Sequence, residues 1–442
     1  MSAPDRVRVP PMTHRRVLGV ALPIVVSNAT VPLLGAVDTA VIGQLGQAAP
    51  IGAVGLGAII LLSIYWIFGF LRMGTTGLVA QARGAGDAGE TGALLTRGIM
   101  IAFAAGAVMI LGQVGIFWAA FRLAPASDEV EGLARTYLAI RVWGAPAAIA
   151  AYALTGWLIA MERARGVLLL QVFTNGLNVA LSITFVLGLG WGVAGVALAT
   201  LIAEWAGLAL GLWLCRAAFS GAQWRDWARV FDPVKLRRMA AVNGDIMIRS
   251  VVLQACFTAF LFFGAGLGDV PLAANQILLQ FLHVTAYALD GFAFAAEALV
   301  GQAIGQGSRA ELRRAAILSS QWGLGFAVAL ALAFGLLGPP IIDVMTTSEP
   351  VRAAAREFLP WLIAAPLIGI AAWMLDGIFI GATQTRDMRD AALVSVAVYA
   401  LALAALIPLM GNHGLWAGLM ILNTARGITL GLRYPKIEAR VA

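Results

Sequence analysis

The feature that most constrains this chain is a succession of long apolar segments running through nearly its whole length. A transmembrane helix needs about 20 mostly apolar residues, and these segments reach or exceed that length. Charged residues make up only 12% of the chain, whereas a soluble domain carries about 25%. The sequence therefore predicts an all-α integral membrane protein.

The apolar segments predict twelve transmembrane helices in two six-helix bundles. They form an N-terminal lobe at 1–215 and a C-terminal lobe at 240–442, joined by a cytoplasmic linker at 216–239. The predicted spans are 17–42, 52–79, 94–121, 133–160, 167–188, 193–215, 240–265, 272–303, 313–337, 353–381, 391–409 and 414–432.

The positive charges are distributed as a membrane topology requires. If the N-terminus is cytoplasmic, the external loops, counted with the adjoining ends of the approximate spans, hold five of the 30 lysines and arginines, namely Arg122, Arg135, Arg141, Arg352 and Arg356. An excess of basic residues on the cytoplasmic side sets orientation. We therefore expect cytoplasmic termini and a bacterial inner membrane, and the net charge of +7 is not taken as a nucleic-acid surface.

The two halves of the chain resemble each other. Residues 77–90 read GLVAQARGAGDAGE and residues 298–311 read ALVGQAIGQGSRAE, with seven of fourteen positions identical at an offset of 221, half the chain length. Because each half has an even number of spans, the halves have the same orientation. The pattern predicts a parallel repeat with pseudo-two-fold symmetry, as in transporters that bind substrate between their halves.

Asp38 is a carboxylate inside the first apolar segment, where an ionisable group is costly and by default marks a functional pathway. Asn28 and Thr30 precede it, and Pro23 and Pro32 weaken the helical hydrogen bonding of the same segment. Burial favours the protonated form of a carboxyl, so Asp38 is a candidate proton carrier. A purely structural aspartate bonded to asparagines is the alternative.

The fifth span supplies polar partners for that carboxylate. Asn175 and Asn178 lie one turn apart on it, and Asn178 is expected to face Asp38. Glu204 and Arg426 occupy the last spans of their halves and are expected to be interfacial.

The C-terminal half carries its own candidates for a polar cavity. Asp245 and Arg249 are spaced i,i+4 on one helix face, and we expect them to neutralise each other. Span eight carries acids or a histidine every seven residues, which predicts a proton ladder or a wet cavity wall. The C-terminal candidates are Asp245, Arg249, His283, Asp290, Glu297 and Asp376.

The sequence shows no sign of an enzyme. The three histidines, His14, His283 and His413, have no metal-site spacing, and nucleotide-binding and hydrolase motifs are missing. Cys215 and Cys256 are expected to be reduced packing residues. We predict neither metal nor cofactor, so transport is expected to be driven by an ion gradient.

Together these features resemble the multidrug and toxic compound extrusion (MATE) family over essentially the whole chain. The stretches Gly244-Asp-Ile-Met-Ile-Arg-Ser250 and Ala286-Tyr-Ala-Leu-Asp-Gly-Phe-Ala-Phe-Ala-Ala-Glu297 are similar to its DinF branch, as is the segment from Trp191 to Glu204. The resemblance implies a monomeric antiporter that exports small organic, often cationic or amphipathic compounds. It also implies that Asp38 is the coupling carboxylate.

One position departs from the family pattern. Members often read Asn-x-x-Asn-x-x-x-Asp in span five, and here the run is Asn175-Gly-Leu-Asn178-Val-Ala-Leu-Ser182. Coupling by a carboxylate pair is therefore in doubt, and protons are the favoured ion. The oxygens of Asn178 and Ser182 leave sodium open. A flippase for lipid-linked precursors is the other alternative, although acids outnumber arginines within the spans.

Overall fold

The computed structural model describes residues 10–30, 37–38, 40–44 and 46–441. Within these ranges the chain is helical, and eleven helical segments are long and apolar enough to cross a membrane. The eleven match the predicted spans from the second to the twelfth. The first predicted span, 17–42, is described only in part.

The chain divides into two compact units. The N-terminal unit consists of the described residues of Val26–Val79 and Asp87–Leu236. The C-terminal unit consists of the described residues of Met1–Val25, Ala80–Gly86 and Arg237–Ala442.

The N-terminal unit is built from pairs of packed helices. Within it, Ala48–Ile67 packs on Asp128–Arg141, and Ala88–Leu123 packs on Ala145–Ala160. Gly192–Leu214 packs on both Ala164–Ser182 and Asp128–Arg141. A short 3-10 turn at Val142–Gly144 joins the fifth helix to the sixth without a break in the span. The helices are α1 (His14–Ala29), α2 (Ala48–Ile67), α3 (Gly69–Gly84), α4 (Ala88–Leu123), α5 (Asp128–Arg141), α6 (Ala145–Ala160), α7 (Ala164–Ser182), α8 (Gly192–Leu214) and α9 (Trp227–Val230). Parts of α1 and α3 belong to the C-terminal unit.

The C-terminal unit contains the longest helices of the described chain. Within it, Glu349–Gly381 packs against Asp269–Gly305, Arg309–Met345 and Asn412–Gly431. Thr385–Met410 also packs on Asn412–Gly431. The helices are α10 (Pro233–Ala265), which begins in the N-terminal unit, α11 (Asp269–Gly305), α12 (Arg309–Met345), α13 (Glu349–Gly381), α14 (Thr385–Met410), α15 (Asn412–Gly431) and α16 (Tyr434–Ala439).

Two glycines let α13 approach α11 closely. Gly377 and Gly381 lie one turn apart on α13, and a Cβ atom added at Gly377 would stand 2.5 Å from the carbonyl oxygen of Ala293 on α11. The backbone of Glu297, one turn further along α11, takes the same position against Gly381. Small residues permit this backbone contact between membrane helices. It fixes the part of α13 that carries Asp376.

Buried charges hold the linker to the start of α4 within the N-terminal unit. The Arg97 guanidinium, only 2% exposed, donates to the carbonyl oxygen of Val230 at 2.8 Å and to Glu90 at 2.7 Å. Glu90 also accepts from Lys235 at 2.5 Å. The linker is thus docked by ion pairs and backbone acceptors.

Candidate functional site

Asp38 contacts the residue that departs from the family pattern. It lies in a short helical stretch and is half-buried, whereas Ser182 at the end of α7 is fully buried. The Ser182 hydroxyl donates to the Asp38 carboxylate, with 3.2 Å between Oγ and Oδ1. A hydroxyl donor stabilises the ionised carboxylate. Ser182 therefore supplies a neutral partner at the position where a second acid is common.

The two asparagines of α7 also form hydrogen bonds within the N-terminal unit. Asn175 donates from Nδ2 to the hydroxyl of Thr30 at 3.2 Å. Asn178 is 1% exposed and donates to the hydroxyl of Thr200 at 2.7 Å. Its carbonyl oxygen Oδ1 is buried without a hydrogen-bond partner among the described residues. Asp38 thus accepts a hydrogen bond from Ser182, whereas Asn178, which the sequence predicts to face Asp38, donates to Thr200.

The first helix carries the remaining residues predicted for this region. Asn28 is half-buried on α1 and forms a polar contact of its own. Pro23 lies inside the same helix, consistent with the expected weak point in its hydrogen bonding. Pro32, the second predicted bend residue, lies outside the described residues.

A buried ion pair that sequence reasoning missed lies in the same unit. Arg141 and Glu204 are 2.7 Å apart, with side chains 9% and 15% exposed. The expectation of Arg141 in an external loop is wrong, since it lies within the helical segment Asp128–Ala160, which is long and apolar enough to span a membrane. Glu204, which the sequence predicts to be interfacial, is paired with Arg141 inside the unit. Arg141 ends α5, which continues through a 3-10 turn into α6 as one span.

The structure explains how this pair fits between helices. Gly144 faces Glu204 so closely that an added Cβ atom would collide with its carboxylate. Arg141 also interacts electrostatically with Asp38. The N-terminal unit therefore holds one arginine that interacts with two acids in a low-dielectric interior, where such interactions are strong.

The charged groups of the C-terminal unit pair differently from the sequence expectation. Asp376 is buried and accepts from both Arg249 and Arg426 through one oxygen, Oδ2. Asp245 instead accepts from Arg389 at 2.7 Å and from a threonine hydroxyl at 3.1 Å. The predicted pairing of Asp245 with Arg249 is therefore wrong, and Arg426 is buried rather than interfacial.

The heptad stripe of α11 runs from an exposed to a buried environment. His283 is exposed, Asp290 is half-buried and Glu297 is 1% exposed. Asp290 and Glu297 both have polar contacts. A ladder along this stripe stays a prediction.

The comparison with a family model decides the family of the chain. The MatE model matches twice, at residues 23–184 and again at 246–406. The chain belongs to the MATE family. The double match confirms the internal repeat, and family membership makes the chain a multi-pass transporter rather than an enzyme.

Individual relatives agree with this assignment. The chain is 40% identical over 420 residues to the DNA damage-inducible protein F of Escherichia coli, covering 93% of this chain and 89% of that protein. A probable multidrug resistance protein NorM of Synechocystis is 28% identical over 461 residues, covering 96% and 95%. The similarity to the first relative confirms the predicted DinF branch.

Solved structures confirm the fold. A crystal structure of a MATE protein in the bent conformation superposes with a TM-score of 0.87, covering 96% of both chains at 18% identity. An outward-facing multidrug resistance MATE transporter superposes with a TM-score of 0.84, covering 97% of this chain and 96% of that one at 17% identity.

Proposed function

We propose that the protein is a proton-coupled antiporter that exports small amphipathic organic compounds by alternating access. The observation that carries the proposal is the Asp38 carboxylate, half-buried in a membrane segment and bound by the Ser182 hydroxyl. An ionisable group inside a membrane-spanning segment is energetically costly, and such groups are by default functional. Several relatives are named probable multidrug resistance proteins, which supports the substrate class.

The proposed cycle follows from the charge of Asp38. When the carboxylate takes a proton from the external side, its hydrogen bond from Ser182 loses its ionic character, since charged acceptors bind about twice as strongly as neutral ones. The attraction of Arg141 for Asp38 is lost as well. The first helix is then free to change its path near Pro23, and substrate leaves the N-terminal unit.

The return step reverses these changes. After the transporter turns inward, Asp38 releases its proton to the cytoplasm, and a new substrate molecule binds. Proton and substrate favour opposite charge states of the same unit, and this differential affinity is what couples two ligands. The proposal includes cytoplasmic termini and an inner-membrane location. In that orientation, protons enter from outside the cell while substrate leaves the cytoplasm.

Sodium is the second candidate for the coupling ion. The observation in its favour is the carbonyl oxygen of Asn178, which is buried and has no partner among the described residues. Together with the Ser182 hydroxyl and a carboxylate, it provides the oxygen ligands that a hard cation requires.

The test is transport in proteoliposomes under one imposed gradient at a time. A pH gradient alone should drive movement of a fluorescent amphipathic cation such as ethidium, and a sodium gradient alone should not. Asp38→Asn should abolish pH-driven transport with unchanged yield and melting temperature. Glu129→Gln, which removes an exposed carboxylate of the same unit, is the matched control. Transport driven by sodium alone would overturn the proton assignment.

The flippase alternative is tested in the same vesicles. A fluorescent lipid-linked pyrophosphate added to them should stay in its leaflet under either gradient. Gradient-dependent flipping of that lipid, without ethidium transport, would favour the flippase instead.

A further inference from the structure

The cluster of Arg249, Asp376 and Arg426 carries more positive than negative charge. Both guanidinium groups bind the same carboxylate oxygen, and the three side chains are only 9–10% exposed. Arginine stays protonated in proteins. The three side chains together therefore carry a net charge of +1 in the interior of a membrane-embedded unit.

Asp376 is the acid that binds both arginines. Asp245, four residues before Arg249, is bound by Arg389. The groups that act electrostatically on Arg426 are Asp376, Arg249 and Cys256, of which only Asp376 is a carboxylate. The two arginines thus share the carboxylate of Asp376 as a hydrogen-bond acceptor.

One guanidinium also has an unused donor. The Nε–H of Arg249 is buried and has no hydrogen-bond partner in the described part of the chain. A buried unpaired donor costs about 1–3 kcal/mol, and more when the group is charged. The net positive charge of the cluster and the unused Nε–H of Arg249 both favour binding of an anionic acceptor.

An apolar groove lies between α10 and α14, and its wall on α10 begins at Ala255, six residues after Arg249. It has a volume of about 440 Å³, within the usual range for small-molecule sites. Its wall on α10 includes Cys256 and Ala259, and its wall on α14 includes Tyr399 and Leu403. Its lining is almost wholly hydrophobic, so it suits a hydrocarbon or aromatic body.

Groove and cluster are joined through shared helices. Cys256 follows Arg249 by seven residues, which places it on the same face of α10 about 10 Å further along. The Tyr399 hydroxyl donates to the Cys256 carbonyl oxygen at 3.2 Å. One turn before Tyr399, the Ser395 hydroxyl lies 3.4 Å from that of Thr429, which in turn follows the cluster arginine of α15 by three residues.

We propose that the cluster and the groove together form a binding site for an amphipathic anion. The anionic group, such as a carboxylate, binds Arg249 and Arg426, and the apolar body occupies the groove. The site deepens the proposed export of amphipathic compounds by adding anionic or zwitterionic members to the substrate class, and it rests on that proposed function. A small soluble anion would bind the two arginines in the same way as the head group, but it would not occupy the groove.

Binding to the purified full-length protein in a nonionic detergent tests this site. Isothermal titration with dodecanoate should give saturable binding at least tenfold tighter than titration with dodecyltrimethylammonium, acetate or chloride. Arg249→Gln and Arg426→Gln should each weaken dodecanoate binding at least tenfold. Arg356→Gln, which removes an exposed arginine of the same unit, should leave it unchanged.

A groove variant keeps the test decisive if the arginine variants do not fold. Ala259→Trp should weaken dodecanoate binding at least tenfold and leave acetate binding unchanged. Dodecanoate binding that is equal in wild type and Ala259→Trp, or no tighter than dodecyltrimethylammonium binding, overturns the proposal. Acetate or chloride binding as tight as that of dodecanoate assigns the cluster to a soluble anion and overturns the amphiphile.

A further variant separates this site from proton coupling. Asp38→Asn should lose pH-driven export of ethidium but bind dodecanoate as the wild type does. If Asp38→Asn transports normally while dodecanoate binds, the coupling proposal fails and the anion site stands. If Asp38→Asn is inactive and dodecanoate does not bind, the coupling proposal stands and the anion site fails.

Discussion

At the scale of single residues, the hydroxyl of Ser182 is expected to set the pH at which the transporter operates. It donates to Asp38 at 3.2 Å, and such a bond to a charged group contributes about 1.5–3 kcal/mol. Ser182→Ala removes a donor that favours the ionised carboxylate. The pH of half-maximal transport should therefore rise by about one to two units, since one unit corresponds to about 1.36 kcal/mol.

The measurement is the rate of ethidium transport in proteoliposomes as a function of pH. Ser182→Thr retains the hydroxyl and should keep the wild-type profile. A profile for Ser182→Ala that coincides with the wild type would show that the hydroxyl does not act on the titrating group.

The buried pair of Arg141 and Glu204 allows a second residue-scale prediction. Glu204→Gln leaves the arginine uncompensated in a low-dielectric interior, which should cost about 3–5 kcal/mol. The exposed pair of Arg135 and Glu131, 2.5 Å apart in the same unit, is the matched control. Glu131→Gln should change the stability by less than about 1 kcal/mol.

Unfolding of both variants in detergent, followed by tryptophan fluorescence, measures the difference. Similar losses for Glu204→Gln and Glu131→Gln would mean that water reaches the buried pair.

At the scale of helices, the glycine contact between α11 and α13 is expected to be needed for the C-terminal unit. Gly377→Ala places a methyl group 2.5 Å from the Ala293 carbonyl oxygen, and such overpacking costs about 1–3 kcal/mol. Gly325→Ala on α12 meets open space and should stabilise its helix by about 0.5–1 kcal/mol. Melting temperatures should thus move in opposite directions, and a Gly377→Ala protein as stable as the wild type would refute the close contact.

The same scale shows what the sequence can and cannot predict. Apolar length predicted the described spans, because burial in lipid depends on the composition of each helix alone. The partners of Arg249 could not be predicted, because i,i+4 spacing considers one helix and Asp376 comes from another. Arg141 was misplaced for a related reason, since a polar helix end was taken as a loop although its charge is neutralised by Glu204 on α8.

At the scale of the whole molecule, the duplicated halves carry different charged sites. The N-terminal unit holds Asp38 with a neutral donor and an arginine–glutamate pair, so its net charge changes when one carboxyl titrates. The C-terminal unit holds a carboxylate, Asp376, that is bound by two arginines. We infer that duplication provided two similar scaffolds, and that ion coupling was kept in the N-terminal one.

The orientation of the chain is the last prediction at this scale, because proton-driven export requires a defined direction. In a variant with Cys215→Ser and Cys256→Ser, which removes two buried free thiols, single cysteines are introduced at the exposed positions Ala126 and Ser220. With cytoplasmic termini, Ala126→Cys is external and Ser220→Cys is cytoplasmic. A membrane-impermeant maleimide should label Ala126→Cys in intact cells and label Ser220→Cys only after lysis. The opposite pattern would reverse the proposed topology, and with it the direction in which the pH gradient drives substrate.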